Sequence, residues 1–182
     1  MSCTLSLGRK EPCKDVVGGI RKVYFTDFGS YGTVTQTDDE ITDMSGTFTA
    51  FEYELKGNSS FEQTITASRE NGTTFFEQTL NLTLKKLSKG DNKELKLLAY
   101  GRPHVAVEDY NGNVFVMGLE HGAEVTGGNI VTGAAMGDLS GYTLTLSAQE
   151  LKPANFVASP TAADPFDGMT SATVTVTEGT NT

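Results

Sequence analysis

The segment Thr47–Leu84, TFTAFEYELKGNSSFEQTITASRENGTTFFEQTLNLTL, holds three alternating runs. In Thr47–Leu55, Phe51, Tyr53 and Leu55 alternate with Glu52 and Glu54. In Ser60–Ser68, Ile65 and Ala67 alternate with Glu62, Thr64 and Thr66. In Thr74–Leu84, Phe76, Leu80, Leu82 and Leu84 alternate with Glu77, Thr79, Asn81 and Thr83. A period of two with one polar side predicts antiparallel strands that cover a core on one face only. The three runs are expected to share one such sheet, with Gly57–Ser59 and Arg69–Gly72 as its turns. The polar face then meets water, a partner or an enclosed aqueous space.

The remaining segments extend the same pattern. Ile20–Thr26, His104–Asp109, Val114–Leu119, Ala123–Thr132, Ser140–Glu150 and Ala172–Thr177 read as strands. Tyr110-Asn111-Gly112-Asn113 reads as a tight hairpin turn. Ser88–Gly101 is the one helix, with Asp91 as N-cap, Glu94 three residues on, and Leu95, Leu97 and Leu98 as its apolar stripe. Gly101 and then Pro103 end it. Asp27–Met44 has no sustained period and carries several acids, so a projecting loop is expected there. The expected fold is mainly β: an antiparallel β-sandwich or barrel with one flanking α-helix and extended arms. Residues 1–19 form an N-terminal arm, 20–152 the domain, and 153–182, rich in Ala, Thr, Ser and Pro, a C-terminal arm that orders against something, such as a neighbouring subunit.

Composition narrows the function. A chain of 182 residues is long enough for one domain with a sizeable core. The formal net charge of -9 disfavours tight nucleic-acid binding, which requires clustered Lys and Arg to displace counterions. Absence of Trp disfavours a sugar-stacking site built on that residue. Cys3 and Cys13 are too few for a disulfide framework; they could pair with each other, but free thiols in a reducing compartment are the plainer reading. No run approaches a membrane span, and no apolar signal-like region is visible near Met1, so function without export is expected. Without export, the triplets beginning at Asn58, Asn71 and Asn81 are chance matches to a glycosylation signal.

Catalytic chemistry finds little support. His104 and His121 are the only histidines, and neither lies in a nucleophile motif. Cys3, Cys13, His104 and His121 lack the close pairing of a structural zinc site. Gly127-Gly128 lacks the Lys-Ser/Thr of a phosphate loop. Asp38-Asp39-Glu40 lacks the alternating ligands of a calcium loop. No enzyme, cofactor or metal is expected. The residual clue is the polar strand face. Subunits pairing edge to edge would close such a sheet into a large barrel and remove its unpaired edges. Its acidic and hydroxylic interior would repel phosphates.

Three stretches carry a family likeness: Asp15–Tyr24 (DVVGGIRKVY), Tyr53–Phe61 (YELKGNSSF) and Ser68–Gln78 (SRENGTTFFEQ). With the Leu-Thr-Leu-Lys-Lys run and the helix that follow, the chain resembles phage tail tube (major tail) proteins over residues 10–155. The resemblance implies hexameric rings that stack into a hollow tube, with strands of each subunit joined in one barrel around the lumen. Tubes of type VI secretion systems share that architecture. It implies a virion tail component assembled in the bacterial cytoplasm, with sheath, baseplate or terminator proteins as partners and no membrane. DNA would pass without specific binding. On this reading Glu52, Glu54, Glu62, Thr64, Thr66, Glu77, Thr79, Asn81 and Thr83 face the lumen. Asp27, Tyr31, Asp38, Asp39, Glu40 and Asp43 mark a ring-stacking loop. Two alternatives stand beside it: a single-ring terminator or baseplate protein, and a monomeric β-sandwich that binds a ligand through Asp27–Met44.

Overall fold

A computed structural model describes residues 7–11 and 13–179. Among them are twelve strands and one helix: β1 (Ile20–Thr26), β2 (Val34–Thr37), β3 (Glu40–Met44), β4 (Gly46–Glu54), β5 (Ser60–Ser68), β6 (Thr73–Lys85), α1 (Lys89–Tyr100), β7 (His104–Asp109), β8 (Val114–Met117), β9 (Glu124–Val131), β10 (Gly141–Glu150), β11 (Asn155–Val157) and β12 (Ala172–Thr177). The fold is mainly β, two sheets packed as a sandwich with one helix.

One sheet has eight strands in the order β12-β4-β1-β7-β8-β11-β3-β2; the other has four, β5-β6-β10-β9. Every pairing in the smaller sheet is antiparallel. In the larger sheet, β12 runs parallel to β4 and β11 parallel to β3. The expectation of one sheet through the three alternating runs is therefore corrected. β4 pairs with β1 and β12, whereas β5 pairs with β6 in the other layer. Leu55, buried at the end of β4, anchors the crossing, and Lys56–Ser59 carry the chain between layers.

Alternation then builds two cores. Between the sheets, Val23, Phe25, Val105, Val107 and Met117 meet Leu80, Leu82, Leu146 and Ala148. On the other face of the eight-stranded sheet, Tyr24, Phe48, Ala106, Val116, Ile41 and Val157 gather with Phe166 and Met169. Strands as far apart in the sheet as β4 and β3 share this second cluster, so the sheet curls around it. Each fully buried large apolar side chain contributes on the order of 1.5–3 kcal/mol.

The C-terminal stretch belongs to that second core. Residues 153–177 supply β11, β12 and the buried Phe166 and Met169, so this stretch orders against its own chain. The expected loop Asp27–Met44 is likewise corrected, since it contains β2 and β3. Asp38 and Asp39, at φ 50° and 62°, form the two-residue turn between them. Both central residues in the left-handed region is the arrangement that suits hairpin twist, and Asp tolerates it better than most residues.

Helix α1 is capped by Ser88, whose side chain accepts from the Asp91 N–H at 3.0 Å. Asp91 lies in the first turn and is not the cap. Gly101 closes the helix, its N–H donating to the carbonyls of Leu97 and Leu98. Leu95 is buried, but Leu97 is 54% exposed and leaves the expected stripe. In the N-terminal arm, Asn111 holds Val17 through both backbone groups, accepting from its N–H at 3.0 Å and donating to its carbonyl at 2.8 Å. Cys13 is an exposed free thiol, and Cys3 lies outside the described residues.

Candidate assembly surface

The registers of the smaller sheet gather one polar face. Glu62 stands opposite Thr79, and Thr64 opposite Glu77. Asn81 stands opposite Thr145, and Thr83 opposite Thr143. Glu62, Thr64, Thr66, Glu77, Thr79, Asn81 and Thr83 thus share the side that faces away from the inter-sheet core. β10 adds Thr143, Thr145, Ser147 and Gln149, and β9 adds Asn129. Thr145 Oγ1 donates to Asn81 Oδ1 at 2.9 Å, which ties neighbouring strands on this face. At one end, Lys85 turns to the Lys56 carbonyl at 2.9 Å. The centre of the face carries carboxylates and hydroxyls, a surface that attracts water and repels polyanions.

Glu52 and Glu54 are not on this face. They lie on β4 in the other sheet, on the side of the second core. Glu52 accepts from Lys22 Nζ at 2.9 Å, both side chains mostly buried. Glu54 pairs with Lys56 at 3.6 Å in the open. The nine residues expected to face one lumen therefore fall into a set of seven and a set of two. The cause is the layer change after β4.

The six residues expected in a stacking loop are dispersed as well. Asp38 and Asp39 sit exposed at the hairpin turn, and Glu40 opens β3. Asp27 holds a turn through its carbonyl, which accepts from Ser30. Asp43 accepts from the Ser171 hydroxyl at 2.6 Å and from its N–H at 3.1 Å, pinning the chain just before β12. Those hydrogen bonds, first the Ser171 hydroxyl, hold its carboxyl below the usual range. Tyr31 is half-buried: its ring meets Phe48, Phe166 and His104, and its hydroxyl donates to Thr26 Oγ1. Burial pushes that hydroxyl's pKa up.

His104 is also structural. Nδ1 contacts the Gly118 carbonyl at 2.7 Å, and Nε2 accepts from the Gly29 N–H at 3.2 Å. That pairing requires the neutral tautomer with its proton on Nδ1. Burial lowers its pKa, the Gly118 hydrogen bond opposes the shift, and Arg102 adds to it. Cys13, His104 and His121 do not converge as potential ligands. Among the described residues, Glu120, His121 and Glu150 do converge as possible metal donors, a group that was not foreseen. The buried Glu150 Oε1 already accepts from the N–H groups of Glu120 and His121, at 3.0 and 2.8 Å.

Sequence reasoning foresaw unpaired sheet edges but not which strands form them. Among the described residues, β5 pairs only with β6 and β9 only with β10, so each presents a free row of backbone groups. Ile65 on β5 and Ile130 on β9 are 65% and 64% exposed, although both stand on the core-facing side. The signal was present as apolar residues at core parity near strand ends. On β9 itself Gly128 leaves no room for a side chain, since a Cβ there would run into the Thr143 carbonyl oxygen.

No protein-family model, no curated protein and no solved structure matches this chain.

Proposed function

We propose that this chain is a structural subunit that joins copies of itself through the two free edges of its four-stranded sheet. The product is a closed ring, and rings stack into a hollow tube, the tail tube of a phage. One observation carries the reading. The sheet β5-β6-β10-β9 alternates strictly in direction, so its two edges run opposite ways. Rotation about an axis along the tube then brings β9 of one copy antiparallel to β5 of the next. The sheet continues without interruption, and closure removes both edges.

In that barrel the polar face lies on the inside, because the opposite face is covered by the eight-stranded sheet. Glu62 and Glu77, set among Thr and Asn, line the passage and keep DNA from adhering by like charge. The resemblance to tail tube proteins supplies the hexameric count and the virion setting, with sheath, baseplate or terminator proteins as neighbours. The ligand-binding alternative has lost its projecting loop, now a short hairpin whose Asp43 is engaged with Ser171. Negative-stain electron microscopy of the purified protein across a concentration series is the test. Rings with a central hole, or hollow tubes, are expected as concentration rises. Single protomers at every concentration and salt condition overturn the reading.

A further inference from the structure

Resting on that reading, the two edges also define how neighbouring copies register. Traced through the hydrogen-bonded rows, β5 spans the rows of β6 from Asn81 to Thr73. β9 spans the rows from Lys85 to Thr79. The edges are therefore staggered by four rows at one end, Asn81 to Lys85, and by six at the other, Thr73 to Thr79. Full pairing between copies requires each copy to shift along the strand direction by that amount.

The shift has a geometric consequence. Four strands span about 19 Å across, and four to six residues span about 13–20 Å along, so strands tilt about 35–45° from the ring axis. Closed barrels tilt their strands by about 35–45°. The stagger built into one chain is the stagger that a closed barrel needs, whatever the number of copies.

Parity then restricts the shift to an even number, because an odd one sets core-facing residues against lumen-facing ones. At four, Ile130 stands opposite Phe61, and Val125 opposite Ile65. At six, Ile130 stands opposite Gln63, and Val125 opposite Ala67. Either shift brings Ile130 to one place: a groove of about 510 Å³ along the β5 edge, lined by Val17, Ile20, Phe61, Gln63, Val107 and Phe115. This groove is where the two sheets part, and a strand added to β5 hangs alternate side chains into it.

We infer that adjacent copies pair β9 on β5 with a shift of four or six residues, seating Ile130 of one copy in the Phe61–Phe115 groove of the next. The occupant is a second copy because the same chain supplies both halves: an opposed free strand, the required stagger and an uncovered apolar side chain at core parity. At the shift of four Ile65 is covered in the same contact by Val125, and at six it stands opposite Gly128.

Disulfide trapping tests the register in a Cys3→Ser, Cys13→Ser background. Glu62→Cys with Asn129→Cys reports the shift of four, and Thr64→Cys with Asn129→Cys the shift of six. Within one chain these positions are separated by the width of the sheet, about 14 Å, and by four or six rows along it, too far for a disulfide. Cross-links are therefore between copies. One of the two pairs is expected to give a ladder of multimers on a non-reducing gel, while Thr79→Cys with Asn129→Cys stays monomeric. Ile130→Asp, at an exposed position, is expected to keep the wild-type melting temperature. It should raise the concentration needed for rings by about tenfold or more. Normal rings with neither pair cross-linked, or rings unaffected by Ile130→Asp, overturn the register and leave the tube reading standing. Absence of both rings and cross-links overturns both.

Discussion

Tyr31 and His104 lie ring on ring, their centroids 4.4 Å apart and their planes 14° from parallel. Phe28 stacks on the other side of His104 at 5.0 Å, and Arg102 caps Phe28 at 3.9 Å. The stack fastens the Asp27–Thr33 stretch to the start of β7. It depends on a neutral imidazole, since Nε2 accepts the Gly29 N–H.

His104 therefore makes stability pH-dependent. Its folded pKa lies below the ordinary 6.5, chiefly because it is buried. In the window below 6.5 the unfolded chain binds the extra proton, so stability is fully present above that value and falls as pH drops through the folded pKa. A single proton allows a slope of at most about 1.4 kcal/mol per pH unit. Melting temperatures from pH 8 to pH 5 should decline below about 6.5 in the wild-type chain. The decline should flatten in His104→Gln. Equal slopes in the two proteins count against the assignment.

Gln78 is a buried polar residue in the core face of β6, 1% exposed. Its Oε1 accepts from the Gly118 N–H at 3.0 Å, and its Nε2 donates to the Lys152 carbonyl. It thereby ties the β8 end of one sheet to the β10 end of the other. Gln78→Leu keeps the volume and strands the Gly118 N–H, at a cost of about 1–3 kcal/mol. Urea unfolding should show a lower midpoint with an unchanged slope. An unchanged midpoint would mean that water replaces the side chain.

Asp43 on β3 accepts from Ser171 just before β12, which anchors the start of that edge strand where it begins to pair with β4. Asp43→Ala is expected to speed hydrogen exchange across Ala172–Thr177 and leave the β6 and β10 amides protected. The carboxyl's lowered pKa means that this restraint is present above the ordinary 3.8 and is lost as pH falls below it. Unchanged β12 protection in the variant refutes the pinning role.

Charge on the polar face should affect transport and not folding. Glu62→Lys with Glu77→Lys leaves the inter-sheet core untouched, so rings and tubes should still form, while DNA passage slows. Glu52→Lys should do the reverse, breaking the contact with Lys22 and lowering the melting temperature without affecting passage. Measured DNA ejection from reconstituted tails separates the two. Normal ejection through the Glu62→Lys, Glu77→Lys tube sinks the luminal assignment.

Much of this molecule was legible along the chain. The bounds of Ile20–Thr26, Ser60–Ser68, His104–Asp109 and Ala172–Thr177 agree with β1, β5, β7 and β12. The reason is that side-chain alternation follows from backbone geometry within a strand and requires no knowledge of the partner. β2 and β3 were hidden because they are short and their turn is Asp38-Asp39, where Asn-Gly would have signalled it. Only tertiary structure decided which layer each strand joins. Glu52 and Glu62 sit in runs of the same period, yet one is salt-bridged behind the larger sheet and the other lies on the open face of the smaller. That choice depends on contacts far apart in sequence, among them Leu55 with the inter-sheet core and Phe166 with Tyr31. Local periodicity determines that a strand has a wet side; long-range packing determines what that side faces.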